Sequence, residues 1–137
     1  MLRTSDGLSA AVPGDWTVKR TGRTGVVFSG PKNSGQRISV TEVPVADPLV
    51  GLGKLSRAGL DQYSEVEVAT VDYRDWKAAD WEYTYVQANG VPMHGLTRYV
   101  VLNGQTAYLI AFRTPDLEWE KSAEMLEIFF STFASTQ

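Results

Sequence analysis

Between Glu65 and Phe112 the chain falls into strand-length runs, and in "ADWEYTYVQ" (Ala79 to Gln87) strict period two sets Trp81, Tyr83 and Tyr85 against Asp80 and Glu82. Such alternation marks a half-buried strand. Asn89-Gly90 and Asn103-Gly104 interrupt it with the residue pair favoured in two-residue type I′ hairpins. Turns of that length set Tyr85 opposite His94, Tyr83 opposite Leu96 and Trp81 opposite Arg98. Across the second turn, Arg98 faces Leu109, Leu96 faces Ala111 and His94 faces Arg113. A third tight turn at Arg74-Asp75 sets Val68 beside Trp81 and Val66 beside Tyr83. One face of this meander then carries Val66, Val68, Trp81, Tyr83, Leu96, Val100, Leu109 and Ala111, with Tyr85, His94 and Arg113 at one end. The other carries Glu65, Glu67, Asp80, Glu82 and Thr97, then Tyr99, Tyr108, Ile110 and Phe112. "AYLIAF" (Ala107 to Phe112) is apolar on both sides, which predicts a central strand covered on both faces.

Shorter strands are predicted before it: Leu8 to Val12, Trp16 to Arg20, Gly25 to Ser29 and Gln36 to Val43, joined by "PGD", "TGRT" and "PKNSG". Asp47-Pro48 supplies a cap and a first-turn proline for a helix whose apolar positions are Leu49, Leu52, Leu55, Leu60 and Tyr63. Gly51, Gly53 and Gly59 weaken that helix by about 1 kcal/mol each relative to Ala. The chain closes on an amphipathic helix, with Thr114 as cap, Pro115 first, and Trp119, Ala123, Leu126, Phe129 or Phe130, and Phe133 along one stripe. The pattern predicts an α+β fold: a largely antiparallel sheet with a helix packed on each face. Residues 1–137 are expected to form one domain with a core of its own.

Composition removes several function classes. No cysteine is present, so disulfides, thiolate metal sites and thiol catalysis are excluded. A net charge of −3 with no basic run speaks against nucleic acid. No apolar run approaches the roughly twenty residues that span a bilayer, and "MLRTSDG" lacks the apolar centre of a secretory signal, so this segment has no membrane contact of its own. Two organisations stay open: a soluble stand-alone chain, or a domain excised from a parent that carries an anchor or partner domain.

Candidate chemistry is thin, and no cofactor site is expected. "GLGKLS" (Gly51 to Ser56) departs from a dinucleotide loop at Ser56 and from a Walker loop at Pro48 and Leu55. His94, the one histidine, faces Arg113 in the predicted register and has no triad partner; it reads as structural, bonded to Tyr85. Glu67 opposes Glu82, and like charges opposed destabilise a sheet. Glu65, Glu67, Asp80 and Glu82 read first as a solvated face, with a cation site or acidic docking patch as the sharper alternative. Trp81, Tyr83 and Tyr85 read first as core, with Arg98 over Trp81 as a cation–π pair and an aromatic binding platform as the alternative. Trp76, in "YRDWKA" at a turn, is the aromatic expected to be exposed and the candidate contact residue.

"VPGDW" (Val12 to Trp16), "AADWEYTY" (Ala78 to Tyr85), "TRYVV" (Thr97 to Val101), "AYLIAF" and the closing helix with Trp119 and "FFSTF" (Phe129 to Phe133) resemble the PsbP-like family. That family is named for an extrinsic photosystem II subunit and shares its fold with a yeast Ran-binding import factor. The nearest resemblance is to domains of actinobacterial serine/threonine kinases that follow a membrane span outside the cell, and to related lipoproteins. It implies a PsbP-like α/β/α sandwich, structural roles for Trp16, Trp81, Tyr83 and Trp119, and no catalytic residue; Leu109 and Phe133 join the expected core. The expected function is a non-enzymatic binding or sensing module for a protein, glycan or small ligand. The rivals are a small enzyme using Glu67, Glu82 and Asp80 as acid and base, and an accessory scaffold with an apolar patch near Trp76.

Overall fold

The strands run in chain order as β1 (Leu2–Ser5), β2 (Leu8–Ala11), β3 (Thr17–Thr21), β4 (Gly25–Ser29), β5 (Arg37–Val43), β6 (Asp61–Tyr73), β7 (Trp76–Val86), β8 (Pro92–Val101), β9 (Ala107–Pro115) and β10 (Ala134–Ser135). Two helices, α1 (Pro48–Gly53) and α2 (Ala123–Thr132), complete the set. This computed structural model describes residues 2–5, 7–23 and 25–136; Thr24 of the "TGRT" turn, Met1 and Asp6 of the first residues, and Gln137 lie outside them. Seven strands form an antiparallel sheet in the order β3-β4-β5-β9-β8-β7-β6, and β1, β2 and β10 form a small second sheet. β9 is the middle strand of seven. Tyr108, Ile110 and Phe112 are buried on one of its sides and Ala107 on the other, as an apolar sequence on both sides requires.

Both Asn-Gly hairpins differ from the expected type by one residue. Gln87 N donates to Val91 O at 3.0 Å, and Gly90 closes the loop at φ +85°, so three residues make the turn rather than two. Leu102 N donates to Thr106 O at 2.9 Å across the second loop, with the same consequence. Tyr85 therefore pairs with Met93, Tyr83 with Gly95, Trp81 with Thr97, and Asp80 with Arg98. His94 lies between Thr84 and Thr114 instead of Tyr85 and Arg113, and Leu96 pairs with Phe112. A slip of one residue exchanges the faces of a strand. His94, Leu96, Arg98 and Val100 thus move to the α2 side, and Thr97 and Tyr99 to the α1 side. Gly95 shows why: a Cβ there would stand 2.5 Å from Tyr83 Cζ, so glycine alone fits across from that buried ring.

The Arg74-Asp75 turn has two residues as expected, with Arg74 at φ +54° and Val68 beside Trp81. Val66 does not reach Tyr83. A bulge between Glu65 and Glu67 turns it outward, 53% exposed, and pairs Glu65 with Tyr83.

Both helices are shorter than the apolar spacing predicts. Asp47 Oδ1 accepts from Val50 N at 3.2 Å, but α1 stops at Gly53, and Tyr63 belongs to β6. One glycine that weakens the helix also seats it, since a Cβ on Gly51 would fall 2.4 Å from the Tyr99 ring. Thr114 and Pro115 stay in β9, and α2 begins only after two 3-10 turns at Asp116–Glu118 and Glu120–Ser122.

Two apolar clusters lie on the two faces. On the α1 side Leu52, Trp81, Tyr83, Tyr85 and Tyr99 pack together, with Leu109 half-buried against them. On the α2 side Phe28, Ile38, Ile110, Phe112, Phe129 and Phe133 pack beneath the small sheet and Trp16, with Trp119 half-buried at the margin. The helices are offset. α1 lies over β6, β7 and β8, whereas the α2 cluster draws its fully buried sheet residues mainly from β4, β5 and β9. Each face is left partly open on the half that its own helix does not reach.

Candidate functional site beside the second helix

On the α2 side the open half of the sheet forms a groove of about 490 Å³. Its floor is Leu96, Phe112, Trp119, Leu126 and Phe130, and its polar edge is Arg98, Glu120 and Glu127. The hairpin registers build the floor: β8 alternates so that His94, Leu96 and Arg98 point this way together.

Arg98 grips its cross-strand partner Asp80 with two parallel bonds, Nε to Oδ1 at 2.6 Å and Nη2 to Oδ2 at 2.8 Å. Both side chains are more than four-fifths buried. The guanidinium also lies 3.9 Å from the Phe130 ring centre and 4.7 Å from that of Tyr73, so it is held by the apolar wall as well as by its acid. Burial pushes the Tyr73 hydroxyl up to about 12 against the opposing pull of Arg74 and Arg98, and this hydroxyl donates to Phe130 O at 2.7 Å.

His94 sits between two carboxylates, Nε2 to Glu82 Oε2 at 2.7 Å and Nδ1 to Asp116 Oδ1 at 2.8 Å. Each ring nitrogen of His94 is thus engaged by a carboxylate, which fixes the orientation of the ring. Its ring stacks on Trp119 at 3.7 Å and 6°, fixing the wall of the groove. The expected bond to Tyr85 and the opposition to Arg113 are both replaced, because the one-residue slip turns His94 to the other face.

The acidic residues divide. Glu67, Asp80 and Glu82 share the α2 face, and Glu67 is the cross-strand partner of Glu82 as expected. Glu67 is exposed to solvent, which screens the repulsion, and Glu82 is held by its bond to His94. Glu65 is displaced by the bulge and does not join them. Asp80 is bonded to Arg98 and Glu82 to His94, so the two carboxylates sit in separate hydrogen-bonded pairs. Among the described residues no group of three or more His, Asp or Glu side chains is placed to hold a metal ion.

Trp76 is not the exposed aromatic that its turn position suggests. It is half-buried, edge-on to Tyr73 at 5.0 Å and to Phe133 at 6.1 Å, with Arg74 over it at 4.7 Å. Arg98 does not lie on Trp81; Arg57 does, at 4.1 Å. The sequence signal for the missed cluster of Arg98, His94, Asp116 and Trp119 was Gly95, since a lone glycine within a strand marks a close approach and selects the register.

The chain superposes on cyanobacterial PsbP (CyanoP) from Synechocystis sp. PCC 6803 with a TM-score of 0.70 at 14% identity, over 98% of this chain and 91% of that one. For the Saccharomyces cerevisiae Ran-binding protein Mog1p the values are 0.61, 12%, 96% and 91%. A Bacteroides thetaiotaomicron VPI-5482 protein gives 0.67 at 15% identity, over 96% of this chain but 46% of that one, so the chain spans about half its length. These similarities show a PsbP-like fold. No curated protein matches the chain in sequence. The profile of the serine/threonine kinase C-terminal domain family matches residues 1–135.

Proposed function

We propose that this chain, which belongs to the serine/threonine kinase C-terminal domain family, is a binding module that takes a segment of a partner protein into the groove beside α2. Family membership makes it an accessory domain, distinct from the part of a kinase that transfers phosphate. The observation that carries the proposal is the groove: five apolar side chains at its floor, flanked by the Arg98–Asp80 ion pair and the His94–Glu82 hydrogen bond that hold its walls in place. Preorganised walls lower the ordering entropy lost on binding. Glu120 and Glu127, exposed at the edge, have no cationic partner among the described residues, so the fitting segment carries an apolar side chain next to Lys or Arg. Mog1p, named for binding a protein, supports a protein ligand for this fold. The resemblance to kinase domains that follow a membrane span supports an extracytoplasmic module that senses its ligand for an anchored parent.

A displayed library of random peptides is the probe. Selection on the native domain should enrich apolar residues beside Lys or Arg, and E120K/E127K should abolish binding of the enriched peptides while leaving the melting temperature nearly unchanged. Enriched peptides that bind the charge-reversed domain equally well would sink the proposal. Placement is tested in the full-length parent. The domain has no cysteine of its own, so a single one introduced at exposed Lys54 should react with a membrane-impermeant maleimide on intact cells.

A further inference from the structure

The open half of the α1 side carries the opposite charge. β5 and β9 pair so that Arg37 and Arg113 are direct cross-strand partners. Their neighbours Ile38 and Phe112 are fully buried in the α2 cluster, so both arginines point to the α1 side. Like charges directly opposed weaken a sheet, and among the described residues no carboxylate pairs with either one. Two cavities meet at the pair. One, of about 570 Å³, runs along the loop from Gly30 to Gly35 and is lined also by Lys32 and Tyr85. The other, of about 210 Å³, adds Ser39. Neither lining contains an Asp or Glu, in a chain whose net charge is −3.

One of the guanidinium groups is already set. Arg113 Nε donates to the hydroxyl of fully buried Tyr83 at 3.2 Å, and the group lies over the Tyr85 ring at 5.3 Å. Most of its five N–H donors remain for a ligand. Arg37 is exposed and free to close from the adjacent strand. We propose that Arg37 and Arg113, with Lys32, form a binding site for a phosphate monoester on the α1 side of the sheet. Two planar forks and a point cation match a dianion with several acceptor oxygens, and the Ser39 hydroxyl, next along β5 on the same face, adds a donor. The monoester belongs either to a small phosphorylated metabolite or to a phosphorylated side chain.

The test is titration with inorganic phosphate at constant ionic strength, read by NMR at the arginine Nε–H signals and by melting temperature. Saturable shifts at Arg37 and Arg113 with a rise in melting temperature are expected, and R37Q should weaken binding about tenfold or more. K121Q, in the 3-10 turn that precedes α2, should leave binding unchanged. Because R113Q loses a bond to the core, R37Q is the deciding variant. In phosphate-free buffer it should raise the melting temperature by about 1–3 °C by removing the opposed cation, and phosphate should erase that advantage. Non-saturating shifts, equal weakening by K121Q, or an R37Q domain less stable than the parent without phosphate would overturn the site. A phosphothreonine peptide and a hexose 6-phosphate then separate the two sources: the tighter binder identifies the source, and failure of both to exceed inorganic phosphate rejects the monoester.

Discussion

At the scale of single residues, the acids of "ADWEYTYV" are explained by the groups directly beside them. Asp80 and Glu82 face inward on a largely apolar surface, which is unfavourable for a carboxylate unless a hydrogen-bonded cation answers it. Arg98 does so for Asp80, and a ring nitrogen of His94 bonds Glu82 at the more exposed end. R98M should therefore destabilise the domain by about 3 kcal/mol, since it leaves Asp80 buried and unpaired, whereas D80N/R98M should lose less than R98M alone. Urea unfolding of the three proteins gives the comparison, and a double variant worse than R98M would show that the pair does not act as a unit. H94F keeps the stack on Trp119 but strands Glu82; about 1–2 kcal/mol is expected because Asp116 is half exposed and can turn to water. These partners were legible in the sequence as residues but not as contacts. The acids, His94 and Arg98 all stand out, yet which of them meet depends on register, and the Asn-Gly pairs favoured the wrong turn by one residue.

At the scale of elements, the strands were read more reliably than their connections. Period-two alternation is strict in "ADWEYTYVQ", and "AYLIAF" identified the central strand because only a strand covered on both faces tolerates apolar residues throughout. The helices were overestimated. Leucine spacing from Leu49 to Tyr63 imitates a helical stripe, but three glycines lower its propensity and the sheet takes Tyr63 instead. The 3-10 turns at Asp116 and Glu120 displaced the start of α2 by two turns' worth of chain, a tertiary choice with no local signal. Glycines offer the sharpest test of these readings. G95A should lose about 2–4 kcal/mol, since its methyl group would meet the buried Tyr83 ring, and G51A should lose a similar amount against Tyr99. G53A, in the same short helix as Gly51 but with nothing within 4 Å, should gain up to about 1 kcal/mol. Thermal unfolding of the three single variants checks the order, and a neutral G95A would contradict the close approach that selects the register.

At the scale of the whole molecule, the offset of the two helices gives each face one covered and one open half, and the open halves differ in charge. The two apolar clusters hold several tyrosines, and burial gives the fold a common sensitivity to alkali. Tyr73 is raised to about 12 from an unfolded value near 10, and burial raises Tyr85 and Tyr99 in the same direction. Between those two pH values the unfolded chain has released a proton that the folded Tyr73 still holds, so each rise in pH favours unfolding. The stabilisation is complete below pH 10 and is lost as pH approaches 12, on the order of 2 kcal/mol for Tyr73 alone. Y73F removes the titrating group along with its bond to Phe130 O, so it should be about 1 kcal/mol less stable at pH 8 but lose less between pH 10 and 12. The two stability curves should therefore converge with rising pH when measured by urea unfolding followed through tryptophan fluorescence. Parallel curves would mean that the alkaline loss arises elsewhere in the fold.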